Sequence, residues 1–362
     1  MYTLRENAMA IYNGEQPDFY SDIMDALAIC PDPIFMRDLC PQDGQLHKDS
    51  WGVTKVFRPD DLGETPYNTS KEYQVIKDID DWRSELVVPP LDNLDWSLAE
   101  AFSKNVNRDE KFVCYFNTTG LFERSHFLMG MEDAFCNYML EPEEMVAILT
   151  KIKDYKIENI RLAKEHLNPD VIFYQDDWGS KQNLFLRPDV WREIIKPLQQ
   201  EISDAIHDCG MIYIHHSDCY CQPITRDMVD IGIDIWQGVI PENDIPFIQK
   251  DTRENCSHQL RMQGGIDTPK VDIEGCTEEF VRTSVDEDMK RCLPGGYMFM
   301  GCPGGRAYVE PNNSWLQDEL RVYGRQWAVE HPIGGQLAND DFSAATLNEW
   351  YGKKAILPTD NA

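Results

Sequence analysis

The reading of this chain turns on Met211–Gly238, MIYIHHSDCYCQPITRDMVDIGIDIWQG. Met211 to His215 has strand character and runs straight into His215, His216, Asp218, Cys219 and Cys221. A helix-like segment, Pro223 to Ile231, follows; then come Gly232 and a second short apolar strand, Ile233 to Trp236. Strand, ligand-rich loop, helix and strand make one βαβ unit, with the chemistry at the carboxyl end of a strand, where parallel α/β proteins carry their active sites. His216 and Asp218 are two apart, so an extended backbone points them to one side. An imidazole and a carboxylate with thiols adjacent form half of a zinc site. The plainer alternative is that His216 and Asp218 hydrogen-bond each other and the cysteines pack as small hydrophobes. The spacing matches no closed structural-zinc pattern.

The same rhythm extends on both sides. Strands are expected at Phe112–Phe116, Val171–Tyr174, His258–Met262 and Tyr297–Met300, alternating with helices at 141–167, 187–209, 277–292 and 313–330. Pro33–Met36 would add a seventh strand, and an eighth is not placed. Strands alternating with helices argue for a parallel sheet with crossover helices. So many units favour an α/β fold closed as a single (β/α)8 TIM barrel over residues 1–362. Residues 1–105 then form an accessory segment plus the first strand, 106–330 the main barrel and 331–362 a polar tail. Within the accessory segment, Leu4–Asn13 reads as a helix closed near Gly14, Trp51–Phe57 as a hairpin strand, and Asp78–Pro90 and Leu94–Ser103 as helices.

A barrel gathers its strand ends at one mouth. Those ends supply Arg37, Asn117, Asp176, Asp177, His216, Asp218, Gln237, Asp267 and Cys302. Cys302 sits among glycines in FMGCPGGR, where backbone can approach a ligand. With His216 and Asp218 or Cys219 it would close a three-ligand site with the fourth position open, as catalytic zinc requires. Of the adjacent pair Asp176 and Asp177, one faces the mouth and the other caps a turn, and Asp177 is assigned the mouth. Glu123 is a substrate contact or a surface charge. Tyr174, Trp178, Trp236 and Phe122 would line an apolar pocket or pack as core. His126, His166 and His207 fall at helical positions and read as structural, and Cys219 with Cys221 lacks the helix start of a CxxC redox pair.

Composition excludes several classes. Acidic residues number 63 against 34 basic, a net charge of −29 that disfavours nucleic acid, anionic membrane and polyanionic substrates. No stretch approaches 18 apolar residues. Eleven cysteines without a secretory h-region suggest a reduced cytoplasm, with thiols available to metal rather than disulfides.

Several stretches together carry a family resemblance: DSWGVTKVF with YQVIKDIDDW, TTGLFERSHFLMGMEDAFCNYMLEPEEM, VIFYQDDWGSKQNLFLRPDVWREIIKPLQQEI, IHHSDCYCQPI and GGYMFMGCPGG. The chain resembles the uroporphyrinogen decarboxylase superfamily nearly end to end, which implies a (β/α)8 barrel. Decarboxylases of that superfamily grip a polyanion with paired arginines; PIFMRDLCPQDG keeps Arg37 and lacks the second. The corrinoid-dependent methyltransferase branch carries an HxC followed much later by a cysteine in a glycine-rich turn. His216 and Cys302 match its ends, and Asp218 stands at the middle position, with Cys219 and Cys221 beside it. A carboxylate for a thiolate leaves the metal the stronger Lewis acid. The resemblance thus implies zinc-dependent O-demethylation, with Asp177 and His216 catalytic and the methyl group passing from a methoxylated aromatic to cobalamin on a partner corrinoid protein. Arg37, Asn117, Tyr174, Trp178 and Trp236 are the expected substrate contacts. Transfer in the opposite direction, to a thiol or pterin, and decarboxylation are the alternatives; a homodimer is left open.

Overall fold

A computed structural model describes residues 2–61 and 63–333. Its ten strands, in chain order, are β1 (Leu27–Ile29), β2 (Leu46–Lys48), β3 (Thr54–Val56), β4 (Thr65–Pro66), β5 (Phe112–Asn117), β6 (Val171–Gln175), β7 (Ile212–His216), β8 (Ile235–Val239), β9 (Arg261–Gly265) and β10 (Met298–Gly301). Seven of them pair in parallel in the order β1-β5-β6-β7-β8-β9-β10. That order never reverses along the chain, unlike an open doubly wound sheet, so it is the topology of a barrel wall. Closure differs from expectation: among the described residues the sheet has seven strands rather than eight, and β1 and β10 are not paired. The lead-in to β1 nevertheless lies beside the far end of the sheet, because Asp22 Oδ2 accepts from Gln263 Nε2 of β9 at 2.9 Å.

The strand expected at Pro33–Met36 is instead a helical turn, Pro33–Arg37. Asp32 accepts from the N–H groups of Ile34 and Phe35 at 3.0 and 2.9 Å, and Pro33 takes the first helical position. An acidic cap followed by proline starts a helix whatever the apolar content after it. The first parallel strand is the LAI run just upstream. The helix expected over 78–90 shrinks to short turns at Ile79–Asp81 and Trp82–Glu85. The ninth strand lies three residues later than expected, ending on Gly264 and Gly265. The 51–57 region does form a strand, β3, within an antiparallel sheet with β2 and β4.

The helix Pro142–Leu167 shows why the outer layer holds. Pro142 starts it, Asn168 ends it in the left-handed conformation, and Ile148, Leu149, Ile152, Ile160 and Ala163 present one buried face. Each fully buried isoleucine or leucine contributes about 1.5–3 kcal/mol. The helix Pro188–Asp208 repeats the pattern and stops before Gly210 at φ 71°. At the amino ends of the strands, the helix Leu4–Asn13 plugs the fold: Ala8, Met9 and Tyr12 share a small cavity with Phe112, Val171 and Ile212. The carboxyl ends are left for chemistry. No helix among the described residues is long and apolar enough to cross a membrane.

Candidate metal centre

At the carboxyl ends of β6 and β7, Asp177, His216 and Asp218 bring one ligand atom each to within 4.8 Å of the others. Asp218 donates its backbone N–H to Asp177 Oδ1 at 3.1 Å, which ties the two loops together. Burial pushes the Asp177 carboxyl up to about 6, with His216 opposing the shift and Asp218 adding to it. Two like charges held this close are relieved either by a proton on one of them or by a cation between them.

His216 is oriented from behind by a chain of amides. Its Nδ1 contacts Gln237 Oε1. Gln237 Nε2 donates to Pro303 O at 3.0 Å and to Gln263 Oε1 at 2.7 Å. Because a carbonyl only accepts, Pro303 fixes which end of the Gln237 amide faces His216. Gln263 is fixed in the same way: its Oε1 accepts from the Gly238 N–H at 3.3 Å, and its Nε2 donates to Asp22 Oδ2. In the neutral imidazole of His216 the proton therefore sits on Nδ1, which leaves Nε2 with its lone pair. Asp22 itself is buried, and burial pushes its carboxyl up to about 8, with Asp25 adding to the shift.

Two glycines make room for this arrangement. Gly238, at φ +99°, interrupts the β8 register, and a Cβ there would come within 3.0 Å of the Asp218 Cα. A bulge beside an active site re-aims the side chains next to it. A Cβ on Gly301 would lie 2.0 Å from Asp22 Oδ2 and 2.6 Å from Gln263 Nε2.

The other residues named from sequence are spread more widely. Cys219 and Cys302 do not join the metal group, where Asp177 stands instead. The Cys219 thiol lies 2.9 Å from Ser217 Oγ and 3.3 Å from the Cys221 sulfur, all three buried. Cys302 is buried, and that burial pushes its thiol up to about 11. The glycine-rich turn does reach the group, but through Gly304, where a Cβ would meet Asp218 Oδ2 at 3.8 Å. His215 points away from the group, stacking on Trp178 at 3.9 Å and on Tyr174 at 5.9 Å. Trp178 donates to Asp176 and Trp236 to Ser217 O, so both indoles are committed to inward packing. Asp176 caps a helix: its oxygens accept from the N–H groups of Phe122 and Glu123 at 3.1 and 2.9 Å. Arg37 is exposed and spans Pro90 O and Tyr155 OH, each at 3.1 Å.

Sequence reasoning missed Asp22, Gln263 and Asn243. Asn243 holds the ligand loop closed by accepting from the N–H of Cys221 at 3.0 Å and donating to Cys219 O at 3.1 Å. Glu123 is buried rather than at the surface, and burial with the neighbouring Asp177 and Asp176 drives its carboxyl well above the usual range. Of the histidines read as structural, His166 bonds Glu100 at 2.8 Å, His207 lies 3.0 Å from Asp234, and His126 is pulled down to about 4 by burial.

No protein-family model matches the chain, and no curated protein sequence matches it. Among solved structures the chain is similar to a methyltransferase from Methanosarcina mazei. The TM-score is 0.59 at 16% sequence identity, over 90% of this chain and 99% of that one. At that identity the likeness is one of fold.

Proposed function

We propose that the chain is a metal-dependent methyltransferase of the corrinoid-dependent branch of the uroporphyrinogen decarboxylase superfamily. On this reading it takes the methyl group of a methoxylated aromatic. The Asp177–His216–Asp218 group carries the reading. Three protein ligands at strand carboxyl ends would leave the remaining positions of an ion to water and substrate, which is the catalytic rather than the structural pattern. Two carboxylates and one imidazole fit a divalent ion such as zinc, and the lack of sulfur leaves it a strong Lewis acid. The methyltransferase name of a structural neighbour agrees with this reading.

The bound ion would supply Lewis acidity at the ether oxygen of the substrate. The protein's part is to hold and orient. Gln237 keeps the His216 proton on Nδ1, so Nε2 would be the atom offered to an ion. Asp177 and Asp218, joined through one backbone N–H, would supply its two carboxylate ligands. In such a reaction the methyl–oxygen bond would break and a reduced corrinoid, carried as co-substrate by a partner protein, would take the methyl group. The substrate oxygen leaves with the electron pair and takes up a proton as a phenol.

Metal content tests the site. The purified protein and its Cys302→Ser variant should each hold about one divalent ion per chain. His216→Ala and Asp177→Ala should hold none. Metal-free wild type after loading would overturn the reading, and loss of metal in Cys302→Ser would overturn the ligand set. The loaded protein should then methylate a reduced corrinoid protein from methoxyarenes, followed by the cobalt absorbance.

A further inference from the structure

His215 points away from the metal group, yet it touches the chain on both sides of Asp177. Successive residues of a strand face opposite ways, so His216 reaches the ligands and His215 the packing behind them. The His215 ring stacks at 3.9 Å on Trp178, the residue after Asp177. Its Nε2 lies 3.2 Å from the carbonyl of Asp176, the residue before.

The partners of this ring decide where its proton sits. A carbonyl only accepts, so Nε2 carries the proton and donates to Asp176 O. In the neutral ring Nδ1 then keeps its lone pair, and it lies 2.9 Å from Tyr213 OH. Gln199 Nε2 donates to the same hydroxyl at 2.7 Å, which leaves the hydroxyl's own proton for His215. All three side chains are buried. His215 thus carries its proton on Nε2 and His216 on Nδ1, opposite tautomers set by opposite surroundings.

The Nε2–H bond holds the peptide between Asp176 and Asp177. That unit is planar, so fixing its carbonyl also fixes the direction in which Asp177 leaves it. Further bonds lace the same segment to the loop after β7. Asp176 N–H donates to His216 O at 3.2 Å, Trp178 N–H to Ser217 Oγ at 3.2 Å, and Asp218 N–H to Asp177 Oδ1 at 3.1 Å. His215 adds a side-chain link from behind the sheet.

We propose that His215 is a positioning residue for the metal group, holding the Asp176–Asp177 peptide so that the Asp177 carboxylate meets Asp218 and His216. That this carboxylate is a metal ligand rests on the proposed function; the hold itself rests on the hydrogen bonds alone.

Two variants separate the ring from its proton. His215→Phe keeps a flat ring against Trp178 and removes the donor to Asp176 O. His215→Gln gives up the ring and returns an N–H donor. Proton NMR of the metal-free protein reads the hold through the Asp218 amide, which donates to the Asp177 carboxylate. In His215→Phe that resonance should move upfield as the bond weakens, while those of Ile148 and Ile152, inside the helix Pro142–Leu167, stay in place. Chelator competition of the loaded protein should show the metal held about 10–100-fold more weakly, the usual cost of losing a support behind a ligand. His215→Gln should bring both readings back towards wild type. Should His215→Phe fold poorly, Tyr213→Phe keeps the imidazole and removes the hydroxyl that holds its proton on Nε2. It should move both readings in the same direction.

Four results would overturn the proposal. They are a wild-type Asp218 resonance in folded His215→Phe, wild-type metal affinity in that variant, equal losses in His215→Gln, or a wild-type His215 ring whose nitrogen spectrum places the proton on Nδ1. Wild type that takes up no metal would sink the metal reading instead, and the Asp218 resonance would still decide whether His215 holds Asp177.

Discussion

If the Asp177–His216–Asp218 group binds a metal as proposed, replacing Gln237 by leucine should loosen that metal while leaving the three candidate ligands in place. Gln237 is 1% exposed, and its amide serves His216, Pro303 and Gln263 together. Leucine is close in volume, so the loss is one of hydrogen bonds rather than packing. It strands the His216 Nδ1–H and the Pro303 carbonyl, whereas Gln263 Oε1 retains the Gly238 N–H. Each buried group left unpaired costs about 1–3 kcal/mol. Freed from Gln237, the imidazole can rotate or shift its proton to Nε2, and loss of such a support lowers metal affinity by about 10–100-fold. Competition of the loaded protein against a chromophoric chelator reads that change directly, and urea unfolding of the metal-free protein reads the stability change. Gln237→Glu serves as the contrast. It keeps an oxygen facing His216 but cannot donate to Pro303 or Gln263, so stability should fall while metal affinity holds near wild type. A folded Gln237→Leu protein that bound metal as tightly as wild type would refute the argument that His216 is set through this amide.

Two further outcomes are expected in the same region. Gly301→Ala should break the link between Asp22 and Gln263, because its Cβ would stand 2.0 Å from the carboxylate. Metal affinity should fall although residue 301 touches no ligand, and unchanged affinity would separate Asp22 from the site. Asp22→Asn should stabilise the protein progressively as pH rises. The folded-state Asp22 carboxyl is raised from 3.8 to about 8, so its favourable contribution is complete below the unfolded value and is lost as pH rises towards 8. The stability difference in favour of the variant should therefore grow by about 1.4 kcal/mol per pH unit across that window. A flat difference in urea melts between pH 4 and pH 8 would show that Asp22 titrates normally.

Much of the barrel wall was legible because its signals are local. Pro142 and Pro188 announce helix starts, Gly14 and Gly210 announce ends, and the apolar runs of β5 to β7 stand clear between them. The first strand was misplaced because a short apolar run, PIFM, reads equally as strand or helix by periodicity. Its Asp32–Pro33 start, a helix signal, was the better guide. In the site, His216 and Asp218 were visible through their spacing of two, which puts both on one face of an extended chain. The glutamine in RMQGG was a visible anomaly, a polar residue amid a short strand; Asp22 carried no such mark.

The sequence by itself determined the alternation of strands and helices and the strand end at which the chemistry gathers. Both stem from periodicity and capping, which act over a few residues. Only the tertiary structure decided which side chains meet. It brought Asp177, rather than Cys219 or Cys302, to His216 and Asp218, and turned His215 away from that group. It also joined Asp22 to His216 across 194 positions of chain through Gln263 and Gln237. Contacts of that range depend on how neighbouring strands register and on where a glycine leaves room for another side chain. Neither is encoded within the span of a motif.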